Sequence, residues 1–207
     1  MDVGKLKTRW FDLFRQYAEI DYIYQGFDEL VRKYTEPHRH YHNLNHVNTC
    51  LNAFDQTDDN ISDKFCVEVA IWFHDVIYDP QKGDNEHLSA KHVSAFLDNT
   101  NVEEKKVSKI KNLICLTKHP ANPKSRDEKI LIDIDLMILG SEPKLYEEYE
   151  KSIRKEYSFV PDHLYKLGRK KLLKLFIEKE KIFETSFFCH RYEIQARENL
   201  EKEIKNL

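Results

Sequence analysis

At 207 residues the chain is long enough to enclose a substantial apolar core in one domain, and 41% hydrophobic against 33% charged residues excludes an intrinsically disordered protein. Only 5 Gly and 6 Pro interrupt regular structure, which favours long helices. A formal net charge of -3 excludes the strongly basic field that grips a nucleic-acid backbone, so a small or transient substrate is expected and stable nucleic-acid binding is not.

Leu6, Trp10, Leu13, Phe14 and Tyr17 recur at helical spacing, and after a short break Ile23, Phe27, Leu30, Val31 and Tyr34 do so again, predicting two opening helices. The proline in TEPHRH ends the second, and YHNLNHVNTCL starts a third that runs to about Phe54, with His42 and His46 sharing one face. The polar stretch DQTDDNISD is its exit. Residues from Ser62 to about Ile77 are apolar on most of their circumference, as in a helix near the middle of a domain. Beyond the turn-rich DPQKGDNE, Leu88, Val93, Phe96 and Leu97 mark a helix capped by Asp84 or Asn85. Thr100 and Glu103 form an expected capping box for a helix carrying Val107, Ile110, Leu113 and Ile114.

HPANPKSRDEK reads as a connection or a lid, and ILIDIDLMILG as a helix apolar nearly all round, closed by Gly140 as its C′ residue. Pro143 suits the first turn of a helix reaching about Tyr157, Asp162 caps one reaching about Glu178, and a last helix spans roughly Ser186 to Ile204. With no two-residue alternation, no repeat and no linker composition, the expected fold is all-α, a single compact bundle of nine or ten helices. The cysteines Cys50, Cys66, Cys115 and Cys189 form no C-x-x-C pair and read as buried hydrophobes or free thiols of a reducing compartment. The N-terminus lacks a secretory apolar core, and no stretch approaches the roughly eighteen apolar residues of a membrane span, so a cytoplasmic protein without membrane association is expected.

Three places put ionisable groups inside very apolar segments: His42 with His46, the adjacent His74-Asp75 in AIWFHDVIY, and Asp133 with Asp135 in LIDIDLMIL. Burying an unpartnered carboxylate costs several kcal/mol, roughly, and one divalent metal would compensate all these groups together. Two neutral imidazoles and two carboxylates suit a divalent cation such as zinc, manganese, magnesium, iron or nickel, and leave positions for water.

The order His46, then His74-Asp75, then Asp135 resembles the HD-domain superfamily of metal-dependent phosphohydrolases, and YHNLNH is similar to the Y-H-N-x-x-H motif of the cyclic-nucleotide phosphodiesterases within it. RHYHNLNH, FHDVIYD, DNEHLSA, DIDLMILG, IRKEY and GRKKLL resemble a group of bacterial proteins predicted to be HD phosphohydrolases, so the likeness spans most of the chain. The resemblance implies one HD-type domain over residues 1–207, with a metal-binding core of about 38–140 and C-terminal helices 141–207 packed on it. It assigns His46, His74, Asp75 and a later aspartate to the metal, and His42 to protonating the leaving oxygen. Asp135 is preferred to Asp133 as the fourth ligand, because it projects between Leu131, Ile138 and Leu139 and matches the family's D-L context. The implied activity is hydrolysis of a phosphomonoester or phosphodiester, a nucleotide among the candidates, by metal-activated water.

Glu86 could orient or deprotonate the attacking water, or serve as a first-turn acid favoured by the helix dipole. Lys118, His119, Arg154 and Arg169 are candidates to hold phosphate oxygens, against a solvated or salt-bridged surface role for each. Two other readings stay open: an HD-fold di-iron oxygenase drawing on the extra histidines His87, His92 and His119, and a non-enzymatic metal-binding or sensing module.

Overall fold

The computed structural model describes residues 2–57 and 61–207, so residues 58–60 of the polar exit after the third helix lie outside the described residues. The all-α expectation holds: the described residues form ten α-helices and one 3-10 turn, with no strand. No helix among them is long and apolar enough to cross a membrane. The helices group into two units, residues 1–119 and 120–207, and the expected metal-binding core of about 38–140 spans that division.

The first unit holds α1 (Val3–Phe14), α2 (Ile20–Tyr34), α3 (Leu44–Gln56), α4 (Lys64–Phe73), α5 (Asn85–Leu97) and α6 (Glu104–Leu116). Helix α4 packs against α3, α5 and α6, and Cys66, Val67, Val69, Ala70, Ile71, Trp72 and Phe73 are all buried, which accounts for its apolar circumference. Around it lies an aromatic core. The Trp10 ring is 4.5 Å from Phe14, 5.4 Å from Trp72 and 5.3 Å from Phe96, and its indole N–H donates to the Ile23 carbonyl at 2.8 Å. A Cβ at Gly26 would come within 2.4 Å of the Phe96 ring, so glycine lets α2 pass close to that side chain.

The second unit holds α7 (Arg126–Leu136), the 3-10 turn Met137–Gly140, α8 (Pro143–Glu156), α9 (Asp162–Ile177) and α10 (Ser186–Asn206). Gly140 is needed for a different reason from the expected left-handed cap. A Cβ there would lie 2.5 Å from the Tyr192 carbonyl oxygen and 2.6 Å from its Cβ, so the close approach of α10 excludes a side chain. Pro143 takes the first helical position of α8, where its missing N–H costs nothing.

Helix ends supply the corrections. The expected Thr100–Glu103 box does not form: the Thr100 hydroxyl donates back to the Leu97 carbonyl at 2.7 Å, and Glu103 makes no side-chain cap bond. A capping box forms instead at Ser125 and Glu128, so α7 begins inside the stretch expected to be a connection. Asp84 occupies the N-cap position of α5 without a cap bond, while Asn85 exchanges two hydrogen bonds with the Asp79 backbone and closes the loop before the helix. Asp162 is the first helical residue of α9, after Pro161.

Candidate metal centre

Two helix ends of the first unit build the centre. Asn43 caps α3, its side chain accepting from the Asn45 N–H at 2.9 Å, so the helix starts at Leu44 and His46 sits in its first turn. His42 therefore precedes the helix rather than sharing a face with His46, as the spacing alone suggested. The turn nevertheless returns it to the same place: its ring stacks on Tyr78 at 4.3 Å and its centroid is 6.0 Å from that of His46.

Helix α4 ends at Phe73, three or four residues earlier than its apolar pattern suggests, and the dyad lies at that end. The His74 N–H still bonds the Ala70 carbonyl at 2.8 Å, while Asp75 is already in the turn beyond. Nδ1 of His74 lies 2.9 Å from the Ile71 carbonyl oxygen, which can only accept. In the neutral ring the proton is therefore on Nδ1, and Nε2 presents a lone pair. The same bond takes up one of the carbonyls left over at the helix C-terminus.

His46 and His74 are 5% and 3% exposed. Nε2 of His46 is 3.1 Å from Nε2 of His74, Oδ2 of Asp75 is 3.1 Å from Nε2 of His74, and Oδ2 is 3.8 Å from Nε2 of His46. A cation with bonds of about 2.1 Å separates neighbouring donor atoms by about 3.0–3.4 Å, with wider pairs up to about 4.2 Å, so these spacings fit a shared ion. A divalent cation between them would meet all three atoms at once. Among the described residues, His46, His74 and Asp75 are the group able to hold a metal. Two imidazoles and a carboxylate suit a borderline divalent transition ion better than calcium, which prefers an all-oxygen set. Cys50, one turn beyond His46, lies against that ring, with its sulfur 3.7 and 3.8 Å from the two nitrogens.

Arg39 was not singled out by the sequence reading. Its side chain is fully buried beneath the centre. Nη1 donates to the carbonyls of His42 at 2.9 Å and Asp75 at 2.7 Å, Nη2 to that of Val76 at 3.0 Å, and Nε to Glu36 at 3.1 Å. The guanidinium lies over the Tyr34 ring at 5.1 Å and the Tyr78 ring at 5.5 Å. The Tyr34 hydroxyl, which burial pushes well above its usual range, donates to the Trp72 carbonyl at 3.0 Å. Nothing in TEPHRHYH distinguishes a buried arginine from a solvated one. Its inclusion in the RHYHNLNH resemblance was the available signal.

The other candidates are distributed more widely. Glu86 is in the first turn of α5, half-buried, and its charge helps burial raise the Cys115 thiol on α6. Lys118 is exposed and donates from Nζ to the Gly83 carbonyl, tying the end of α6 to the loop before α5. His119 is half-buried at the end of the first unit. His92 packs on Phe73 with ring centroids 6.2 Å apart and has Nε2 3.7 Å from Glu29, and His87 is exposed on α5.

Asp133, Asp135, Arg154 and Arg169 belong to the second unit. Asp133 is fully buried and accepts three bonds at the start of α10: from the Glu184 N–H at 2.7 Å, the Thr185 N–H at 2.8 Å and the Thr185 hydroxyl at 2.7 Å. Burial pushes its carboxyl up to about 6 even against those donors. Asp135 is half-buried on α7. Arg154 closes the end of α8 on the carbonyls of Tyr157 at 2.7 Å and Val160 at 3.1 Å, with its guanidinium 4.6 Å above the Tyr165 ring. Arg169, 7% exposed, makes a two-pronged bond to Glu203 at 2.7 and 3.1 Å and donates to the Tyr149 hydroxyl at 3.2 Å. Asp127, which the sequence reading passed over as part of a polar connection, is buried in the first turn of α7.

No protein-family model, curated protein or solved structure matches the chain. The functional reading therefore rests on the donor geometry of the first unit and on the sequence resemblance.

Proposed function

We propose that the first unit holds a divalent cation on His46, His74 and Asp75, and that the protein is a metal-dependent hydrolase of a small phosphate ester. The observation that carries this reading is the convergence of three buried or half-buried donor atoms, Nε2, Nε2 and Oδ2, with no two more than 3.8 Å apart. Bound there, a divalent cation would supply Lewis acidity toward a phosphate oxygen and bring the pKa of a water down toward about 7.

The remaining work falls to the chain's own groups. His74, with Nδ1 held by the Ile71 carbonyl, keeps its Nε2 lone pair aimed inward. His42, stacked on Tyr78 beside His46, would give a proton to the departing oxygen, the role that the resemblance implies for it. The net charge of -3 favours a small substrate over a nucleic acid. The resemblance implies Asp135 of the second unit as a fourth ligand, whereas the cation proposed here is held by residues of the first unit alone.

Elemental analysis of the protein as isolated, followed by phosphomonoesters, phosphodiesters and nucleotides with the metal found, tests the reading. His46→Ala and Asp75→Ala are expected to lose metal and turnover together. Full metal content in either variant overturns the ligand assignment, and bound metal without turnover of any phosphate ester leaves a metal-binding module in place of an enzyme.

A further inference from the structure

We infer that Arg39 is a positioning residue that clamps the His42 segment to the Asp75 turn before any cation binds. The inference rests on the metal-centre reading for its purpose, though not for its geometry. One nitrogen, Nη1, bridges the carbonyls of His42 and Asp75, residues 33 positions apart in the chain, at 2.9 and 2.7 Å. Nη2 takes the next carbonyl, that of Val76, at 3.0 Å. The proton donor's loop and the ligand's turn thus meet on a single planar group.

Burying a guanidinium costs several kcal/mol, roughly, and here a single carboxylate, Glu36, offsets it from a partly exposed position. The other partners are neutral carbonyls and two tyrosine faces. An apolar side chain would fill the same space without that desolvation but would give up the bonds to the three carbonyls. The end of α4 also favours a cation, because its last carbonyls carry the negative end of the helix dipole. A lysine side chain ends one bond short of Nη1 and brings one nitrogen in place of three, so it cannot reach the two bridged carbonyls and hold that of Val76 as well. The fork is therefore the feature that matters, and charge alone is insufficient.

Two measurements test the clamp. In the unmodified, metal-free protein, nitrogen-15 spectra are expected to show separate, slowly exchanging Nη signals for Arg39, since both groups are tied to carbonyls. One averaged, rapidly exchanging signal would overturn the inference. Arg39→Met and Arg39→Lys are then expected to bind Mn²⁺ or Zn²⁺ about 10–100-fold more weakly, the range seen when a ligand's supporting partner is removed. Glu36→Gln, whose amide oxygen still accepts from Nε and which keeps the three carbonyl bonds, is expected to lose less affinity than Arg39→Met. Unchanged affinity in Arg39→Lys, or equal losses in Glu36→Gln and Arg39→Met, would also overturn it. If Arg39→Met does not fold, the spectra of the unmodified protein decide. If the unmodified protein binds neither ion, the proposed function fails and those same spectra still decide the clamp.

Discussion

Both units bury charged and polar side chains, yet one cluster in the first unit differs from those in the second. In the second unit the groups answer one another: Arg169 forks onto Glu203, the Tyr146 hydroxyl donates to the same carboxylate, and the Tyr149 hydroxyl accepts from Arg169. Burial first, and the Glu203 charge next, push the Tyr146 hydroxyl far above its ordinary range, so it remains a donor. Asp133 is likewise consumed by the start of α10. In the first unit, by contrast, Nε2 of His46, Nε2 of His74 and Oδ2 of Asp75 converge within 3.8 Å of one another. Charge paired with charge in the second unit serves structure, whereas the cluster in the first unit is one that could hold a metal ion.

The largest effect that tests this contrast is ligand removal. His74→Ala is expected to weaken binding of Mn²⁺ or Zn²⁺ by more than about 100-fold, beyond the loss of a supporting partner, while helicity by circular dichroism is retained. Metal binding that survives would erase the distinction between the units. Next, Arg169→Met leaves the Glu203 carboxylate buried without its cation, and chemical denaturation should show a loss of about 3–5 kcal/mol. Adding Glu203→Leu to that variant should recover much of the loss, because the pair is then replaced by apolar packing. Gly140→Ala should cost about 1–3 kcal/mol by the same measurement, since α10 must move off a new Cβ.

The smallest expected effect is in pH dependence. Burial lowers the His92 pKa from its ordinary 6.5, with Glu29 partly offsetting it. The unfolded chain then binds that proton more readily than the folded one, so His92 contributes stability above the unfolded pKa that is lost as pH falls below it. His92→Gln should flatten the acid side of the stability profile relative to the unmodified protein. An unchanged slope would show that the ring is not the source.

The helical architecture was legible because apolar residues recur at three and four positions with little interruption, and the order of elements follows that pattern throughout. The dyad was legible for a similar reason, since charge inside AIWFHDVIY demands an explanation. What the pattern could not show was where regular structure stops. His42 and His46 read as helical neighbours because spacing carries no information about the Asn43 cap between them. Asp135 is preferred to Asp133 on its neighbours and D-L context alone, and what engages Asp133 shows only when the backbone of Glu184 and Thr185 is seen to bond it. Arg154 and Arg169 could not be told from surface cations, because their partners lie in other turns and helices. The Ser125-x-x-Glu128 signal was readable but hidden in a stretch whose prolines suggested a connection.

Cys115 offers an unplanned instrument. It is the exposed thiol of the four, on α6, where burial of part of its surface first, and the charge of Glu86 second, raise its pKa. Alkylating reagents consume the thiolate, so both features slow labelling at this one atom. A change in packing around α6 would register in that rate with neither turnover nor a chromophoric ligand.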